Sequence, residues 1–411
     1  MTVLLTAMVV AACSRETVQE QTATMKEKVE SVVERVSVPR GRPGDPAARE
    51  KERFDSGWRS LTAFQRQQQA KIDAERARAA AAQKINFVRG AKESLKGLTP
   101  DAINGAPVSV PITGDVAGPS VLRTQVYLDR AGFSVGAIDG RWGKNSAVAV
   151  WWFQRSRGIP ATGDVDEQTY RALYAEGGAA PAVVAHQLSA ADLEGPFTSI
   201  PEDVYEQAKL DCLCYESAAE KIAERFHIDS ALLEALNPNV DLGALQAGQT
   251  LNVLNVRPPV TAARPDVARV MVSLRGNSFD AFDAAGNVLF HAPTTVGSQY
   301  DPSPTETVEI KKVTPDPHFH YQPKLFHEVP DDEPEANLNP GPNSPVGVVW
   351  IALSKPHYGI HGTSDPESIG YASSHGCIRL TNWDARELAQ RVQPGVKVEF
   401  VDTRQQAAAS Q

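Results

Sequence analysis

Apolar and polar residues change period several times along the chain, and each change marks a different element. From Ala47 to Leu98 there is no proline and helix formers dominate, so one long helical segment is expected. Phe54, Trp58, Leu61 and Phe64 recur at spacings of 3 to 4 and mark one apolar face. The segment reads as a solvated helical stalk, with a partner-binding helical surface as the alternative. Residues 99–117 carry Gly105, Pro107, Pro111 and Gly114 and read as a linker. Three helices follow. Val121, Val126 and Leu128 begin the first, and a turn-rich loop, Gly136 to Gly143, ends it. Val148, Trp151, Trp152 and Phe153 lie on the second. Asp166 starts the third, with Thr169, Tyr170 and Leu173. A second Gly/Ala/Pro/Val linker spans 177–185. Short helices are expected at 218–226 and 230–236, the latter capped by Asp229 and stopped by Asn237-Pro238, before a closing strand at 248–253.

From Val267 the period becomes two. Strands are expected at 269–274, 278–283 and 288–296, joined by Gly276-Asn277 and Ala285-Gly286-Asn287, then at 308–313 and 346–353. A helix at 383–391 and a strand at 397–401 close the chain. The expected architecture is multidomain, with a mainly-β C-terminal part and small helical units before it.

Length agrees, since 411 residues exceed one compact domain and imply two to four. A net charge of −9 argues against nucleic acid as a partner. The four cysteines are too few and too uneven for a disulfide framework. Cys212 and Cys214 form a short disulfide or stay free, in a structural role or a redox one. Cys13 ends an apolar run, Met1 to Ala12, too short to span a bilayer and suited to the core of a secretory signal. Val10-Ala11-Ala12-Cys13 resembles the bacterial lipobox, although no Lys or Arg precedes it. That resemblance implies lipidation of Cys13 and a membrane anchor in the periplasm. Ser14, the next residue, points to the outer membrane.

The densest chemistry lies in Ser374-His375-Gly376-Cys377-Ile378-Arg379-Leu380, with His361-Gly362-Thr363 upstream. An imidazole within reach of a thiol takes its proton, and the resulting ion pair lowers the thiol pKa. Gly376 clears space beside the sulfur, and backbone N–H groups near Cys377 are placed to meet an oxyanion. His375, two residues before Cys377, shares its side if the run is extended. Arg379 brings a fixed charge suited to a carboxylate. The rival is a zinc site of His357, His361, His375 and Cys377, against which the lack of Cys-x-x-Cys spacing counts. No metal or other cofactor is expected. His318 and His320 alternate with Phe319 and Tyr321, as a groove lining or a plain exposed strand face, and Asp331-Asp332-Glu333 reads as a solvated loop.

Three family resemblances organise these segments. Gln125, Leu128, Gly132, Asp139-Gly140, Gly143, Ala149-Val150, Phe153-Gln154, Gly163, Thr169 and Leu173 resemble the peptidoglycan-binding type 1 domain, a three-helix unit, here 118–176. Ile222-Ala223, Phe226, Leu233, Leu236-Asn237-Pro238 and Ala247-Gly248-Gln249-Thr250-Leu251 resemble a LysM-like α+β domain, here 199–257, although Cys212-Leu213-Cys214 has no place in that pattern. Residues 265–403 resemble the catalytic domain of the L,D-transpeptidase (YkuD) family through Asp280-Ala281-Phe282-Asp283, Pro302-Ser303-Pro304, Val346-Gly347 and the two histidine motifs. The leader and lipobox then occupy 1–13, and the stalk with its linker 14–117.

The last resemblance implies a YkuD-type β-sandwich and acyl transfer. Cys377 would be the nucleophile and His361 the general base, oriented by a backbone carbonyl such as that of Gly362. His375 and the Gly376 and Cys377 N–H groups would polarise the substrate, and Arg379, Ser374, Thr363 and Tyr358 would bind it. A diaminopimelate carbonyl of a tetrapeptide stem would be captured as a thioester with loss of D-Ala, then passed to an amine of a second stem or of an anchored lipoprotein. Water as acceptor would give a carboxypeptidase, and a fold without turnover a wall-binding scaffold. Peptidoglycan, its stems and its glycan, is the implied partner. Two departures bear on substrate choice: Thr305-Glu306 stands where the family has a glycine, and the 319–339 stretch is long and acidic.

Overall fold

A computed structural model describes residues 46–402, with side chains from Ala63 onward except Gln65. Cys13 and the side chains of Phe54, Trp58 and Leu61 lie outside the described residues. The chain falls into one unit up to Ala74 and a second from Glu75 onward.

Helix α1 (Pro46–Gln83) ends well short of the expected Leu98, and Phe64 on it is exposed. The expected linker is then overturned. Helix α2 (Pro100–Gly105) and strand β2 (Val108–Val110) occupy it, and β2 pairs in parallel with strand β1 (Phe87–Arg89), which lies in the stretch expected to be helical. Thr99 caps α2 by accepting from the Ala102 N–H at 3.2 Å. Ile103, Val108, Val110 and Ile112 are buried in one core with the following helices. The Pro and Gly residues mark tight connections between packed elements, not a free tether.

Helices α3 (Pro119–Arg130), α4 (Lys144–Ser156) and α5 (Glu167–Gly177) form the three-helix module, and Asp166 caps the last. Two buried glutamines fasten its loops. The Gln125 amide accepts from the Gly140 N–H at 2.8 Å and donates to Asp139 and the Arg141 carbonyl, both at 3.0 Å. Gln154 accepts from the Thr162 and Gly163 N–H groups, both at 2.9 Å. Gly163 has φ +82°, and a Cβ there would sit 3.1 Å from the Ala147 carbonyl oxygen, so the turn admits glycine alone without strain.

The second expected linker is also overturned at its end, where strand β3 (Val183–Gln187) begins. After α6 (Val204–Gln207), α7 (Ala218–Arg225) and α8 (Ser230–Leu236), strand β4 (Thr250–Leu254) returns antiparallel to β3. Asn237 locks this strand–helix–helix–strand unit of β3, α7, α8 and β4, into which the single-turn α6 is inserted, by accepting from the Asn252 N–H at 2.7 Å and donating to the Leu233 and Asn252 carbonyls. Cys212 and Cys214 are disulfide-bonded. Leu213 between them is fully buried against Ala336 and Leu338.

In the C-terminal part, β5 (Arg269–Ser273), β6 (Ser278–Phe282), β7 (Val288–Pro293) and β8 (Val308–Pro315) precede a small hairpin of β9 (Phe319–Tyr321) and β10 (Ala336–Leu338). Then come β11 (Val349–Leu353), β12 (Gly359–His361), β13 (Ile378–Arg379), helix α9 (Asn382–Arg391) and β14 (Lys397–Val401). The expected sandwich is corrected to one curled eight-stranded sheet of order β13-β12-β11-β8-β14-β5-β6-β7. Thr295, just past β7, exchanges two hydrogen bonds with Arg379 in β13 at 3.1 and 2.9 Å, so the first and last strands meet. Closure of this kind leaves few unpaired strand edges.

Alternation along the strands divides two cores. Val270, Val272, Phe279, Ala281, Phe290 and Ala292 point to the inside of the curl, with Leu388 of α9. Met271 and Phe282 face outward into the core shared by the helical modules. The outer edge of β7 is covered by Gly132–Ser134: the Ser134 N–H donates to the His291 carbonyl at 2.8 Å, and the His291 N–H to Gly132 at 2.9 Å. Arg257 is the polar centre of this junction. It is buried among Asp129, Asp384 (2.5 Å) and Glu387 (2.6 Å), while His227 bonds Asp129 at 2.9 Å and stacks on Trp383.

Candidate active site

Strands β12 and β13 run parallel, with Ile360 opposite Ile378 and His361 opposite Arg379. Because side chains alternate, the two isoleucines enter the inner core while His361, Arg379 and, two residues before it, Cys377 line the opposite face. That face opens on a cleft of about 730 Å³, whose walls include Tyr300, Trp350, Tyr358 and the β9 hairpin. His318 and His320 line this cleft and are exposed in it, and His320 bonds Glu335 at 2.8 Å.

His361 Nδ1 lies 2.7 Å from the Gly362 carbonyl oxygen and donates to it, which leaves the Nε2 lone pair free to take a proton. Trp350 stacks on the imidazole at 5.4 Å and fixes its plane. Burial, reinforced by the Arg379 charge, lowers the His361 pKa to about 3 against the opposing Gly362 bond. Burial likewise raises Cys377, opposed by the Gly359 N–H and Arg379. The thiol contacts the His357 carbonyl oxygen at 3.6 Å. Both shifts favour the neutral forms of the thiol and the imidazole, so desolvation opposes the thiolate–imidazolium pair expected from the sequence.

Gly376 has φ +99°, and a Cβ there would come within 2.8 Å of Tyr358 Cε1. The run is bent at this glycine, which removes the premise that put His375 on the side of Cys377. His375 reaches the cleft, yet its Nε2 bonds Glu328 at 2.6 Å. Two serines hold the bend. Ser303 donates to the Gly376 carbonyl at 2.8 Å and Ser374 to the Cys377 carbonyl at 2.5 Å. Both carbonyls are thus turned into the protein, and the Gly376 and Cys377 N–H groups meet no acceptor among the described residues. Ser374, expected to bind substrate, sits in this turn. Tyr358 anchors through its hydroxyl to the Pro302 carbonyl at 3.2 Å. Arg379 Nε is buried without a partner among the described residues.

Thr363 is buried, and its hydroxyl accepts from the Asp365 N–H at 3.1 Å. Its own N–H donates to Asn382 Oδ1 at 3.2 Å, as does that of Val348. Asn382 went unnoticed in the sequence, as did Ser303 beyond its Pro-x-Pro motif and Trp350. Asn382 also donates to Glu224 of the strand–helix–helix–strand unit at 2.8 Å, tying the His361 loop to that module.

Two family models match the chain: an L,D-transpeptidase catalytic domain, YkuD, over 268–400, and a peptidoglycan-binding domain over 117–173. The protein YkuD of Bacillus licheniformis, named as an L,D-transpeptidase, is 34% identical over 179 residues, 44% of this chain and 90% of its own length. YkuD of Bacillus subtilis is 33% identical over 177 residues, 43% of this chain and 89% of its own length. An L,D-transpeptidase structure from Mycobacterium smegmatis aligns over 38% of this chain and 63% of that one at 18% identity, with a TM-score of 0.27. The chain belongs to the YkuD family of L,D-transpeptidases. It is a cysteine-dependent acyltransferase whose catalytic domain is joined to a peptidoglycan-binding module.

Proposed function

We propose that the chain transfers a tetrapeptide stem of peptidoglycan from its terminal D-Ala to an amine, with Cys377 as nucleophile and His361 as base. Cys377 Sγ forms a bond to the diaminopimelate carbonyl as its proton passes to His361 Nε2. The C–N bond to D-Ala breaks, and the departing amine takes that proton. An amine of a second stem or of an anchored protein then attacks the thioester, and the sulfur leaves to be reprotonated. The Gly376 and Cys377 N–H groups hold the developing oxyanion, each such donor contributing about 3 kcal/mol. The Arg379 guanidinium, whose Nε meets no partner among the described residues, suits a stem carboxylate, Tyr358 walls the cleft, and Ser374 and Thr363 hold the backbone that presents Cys377 and His361. The placement of Cys377 and His361 on one face of a wide cleft, the imidazole oriented by Gly362, carries this reading.

The strand–helix–helix–strand order of 183–254 supports a LysM-like, glycan-directed module beside the peptidoglycan-binding one. The lipobox-like run ending in Cys13 supports a lipid-anchored protein of the periplasm, at the outer membrane, with α1 as its stalk. Incubation with tetrapeptide muropeptides, read by mass, is expected to yield linked products lacking one D-Ala. Cys377→Ala is expected to yield none and still sediment with purified wall. A Cys377→Ala protein as active as the parent refutes the mechanism.

A further inference from the structure

Beside Cys377 lies a second cluster that the proposed mechanism does not use. Among the described residues, one donor atom each from Asp301, His327, Glu328 and His375 lies within 4.8 Å of every other. Three separated segments supply them: the loop after β7, the 319–339 insertion and the run that carries Cys377. His327 Nδ1 is 2.6 Å from Asp301 Oδ2 and 3.1 Å from Glu328 Oε2, and His375 Nε2 is 2.6 Å from Glu328 Oε1. Packing holds the rings. Tyr300 stacks on His327 at 5.0 Å, and Phe326 meets His375 edge-on at 4.8 Å.

We propose that Asp301, His327, Glu328 and His375 form a Zn²⁺ site that pins the 319–339 insertion to the mouth of the cleft. Two imidazoles and two carboxylates are a tetrahedral zinc donor set whose two negative charges balance the ion. Metal–ligand bonds of about 2.0–2.1 Å place tetrahedral donors about 3.3 Å apart. The shortest pairs, at 2.6 Å, need to open by about 0.7 Å and the widest to close by up to about 1.5 Å, on side chains that are largely at the surface. Coordination uses the Nδ1 lone pair of His327 and the Nε2 lone pair of His375, the atoms now hydrogen-bonded to carboxylates. The consequence is mechanical. His327 and Glu328 directly follow Leu325 and Phe326 of the cleft wall, so fixing them sets the width of the groove beside the nucleophile.

The test uses the full chain, untagged and metal-free, titrated with Zn²⁺ by calorimetry and with Co²⁺ as a spectroscopic probe. One ion per chain is expected, with visible bands of four-coordinate cobalt. His327→Ala and Asp301→Asn are each expected to weaken binding at least about tenfold. Cys377→Ser is expected to keep both the stoichiometry and the bands, which separates this site from a metal on the catalytic thiol and makes the result independent of turnover. Affinity unchanged in His327→Ala, or binding abolished by Cys377→Ser, overturns the proposal, as does absence of binding in the parent protein.

Discussion

Arg257 offers the sharpest quantitative test of how the modules are held together. Its guanidinium bonds Asp129 of α3 and Asp384 and Glu387 of α9, all buried. Burial by itself would raise the Asp129 pKa; Arg257 and then His227 outweigh it and hold the carboxyl at about 2, below its ordinary 3.8. A folded-state pKa below the unfolded one stabilises the protein above the unfolded value, and that contribution is lost as pH falls through the folded value. The difference corresponds to about 2 kcal/mol, present above pH about 4 and gone near pH 2. Arg257→Met strands the carboxylates without their cation, which costs about 3–5 kcal/mol at neutral pH. In that variant burial dominates Asp129, opposed only by His227 and by the backbone N–H of residue 257, and its pKa shifts upward. Protonation then relieves the folded state, so the sign of its pH dependence reverses. Burial already holds Asp384 above the usual carboxylate range despite Arg257, and its loss acts in the same direction. Urea midpoints of parent and variant from pH 7 to pH 3 measure this. The gap is expected to be largest above pH 5 and to narrow on acidification. A gap that is absent, or constant across that range, refutes the account of Arg257 as a cation required by buried carboxylates.

Gly376→Ala forces a side chain onto a backbone at φ +99° and against Tyr358. The strain of about 1–3 kcal/mol is concentrated at the oxyanion donors, and kcat/KM on tetrapeptide substrate is expected to fall at least about a hundredfold. Parent-like turnover would show that the bend does not position the reaction. Asn382→Ala leaves the Val348 and Thr363 N–H groups without their acceptor, at about 1–3 kcal/mol for each buried donor. Both the melting temperature and kcat are expected to drop, and a variant that melts lower with unchanged kcat would remove Asn382 from the support of His361.

The candidate reacting groups stood out because they are clustered in the chain. Cys377, Gly376 and Arg379 fall within four residues, and the His361 motif carries its own orienting carbonyl. The strands from 269 onward were legible as well, since period-two burial follows directly from the pleat. The linkers at 99–117 and 177–185 were misread because Gly and Pro mark turns whether the intervening residues are packed or free. Charge state was not legible for another reason. The residue types of a thiol and an imidazole suggest an ion pair, but the sign of each shift depends on how much water the fold removes.

The amino-acid order alone thus determined the three-helix module, most strands of the C-terminal sheet, the reaction class and the candidate groups for it, because these depend on local periodicity and on chemistry borne by neighbouring residues. Only the tertiary structure decided that Thr295 closes the sheet onto Arg379, that Asp129, Arg257 and Asp384 meet, and that Asp301, His327, Glu328 and His375 converge beside the cleft. Each of those contacts joins residues far apart in the chain. A charged or polar side chain carries no local mark of its partner, which is set by how the curled sheet and the modules pack.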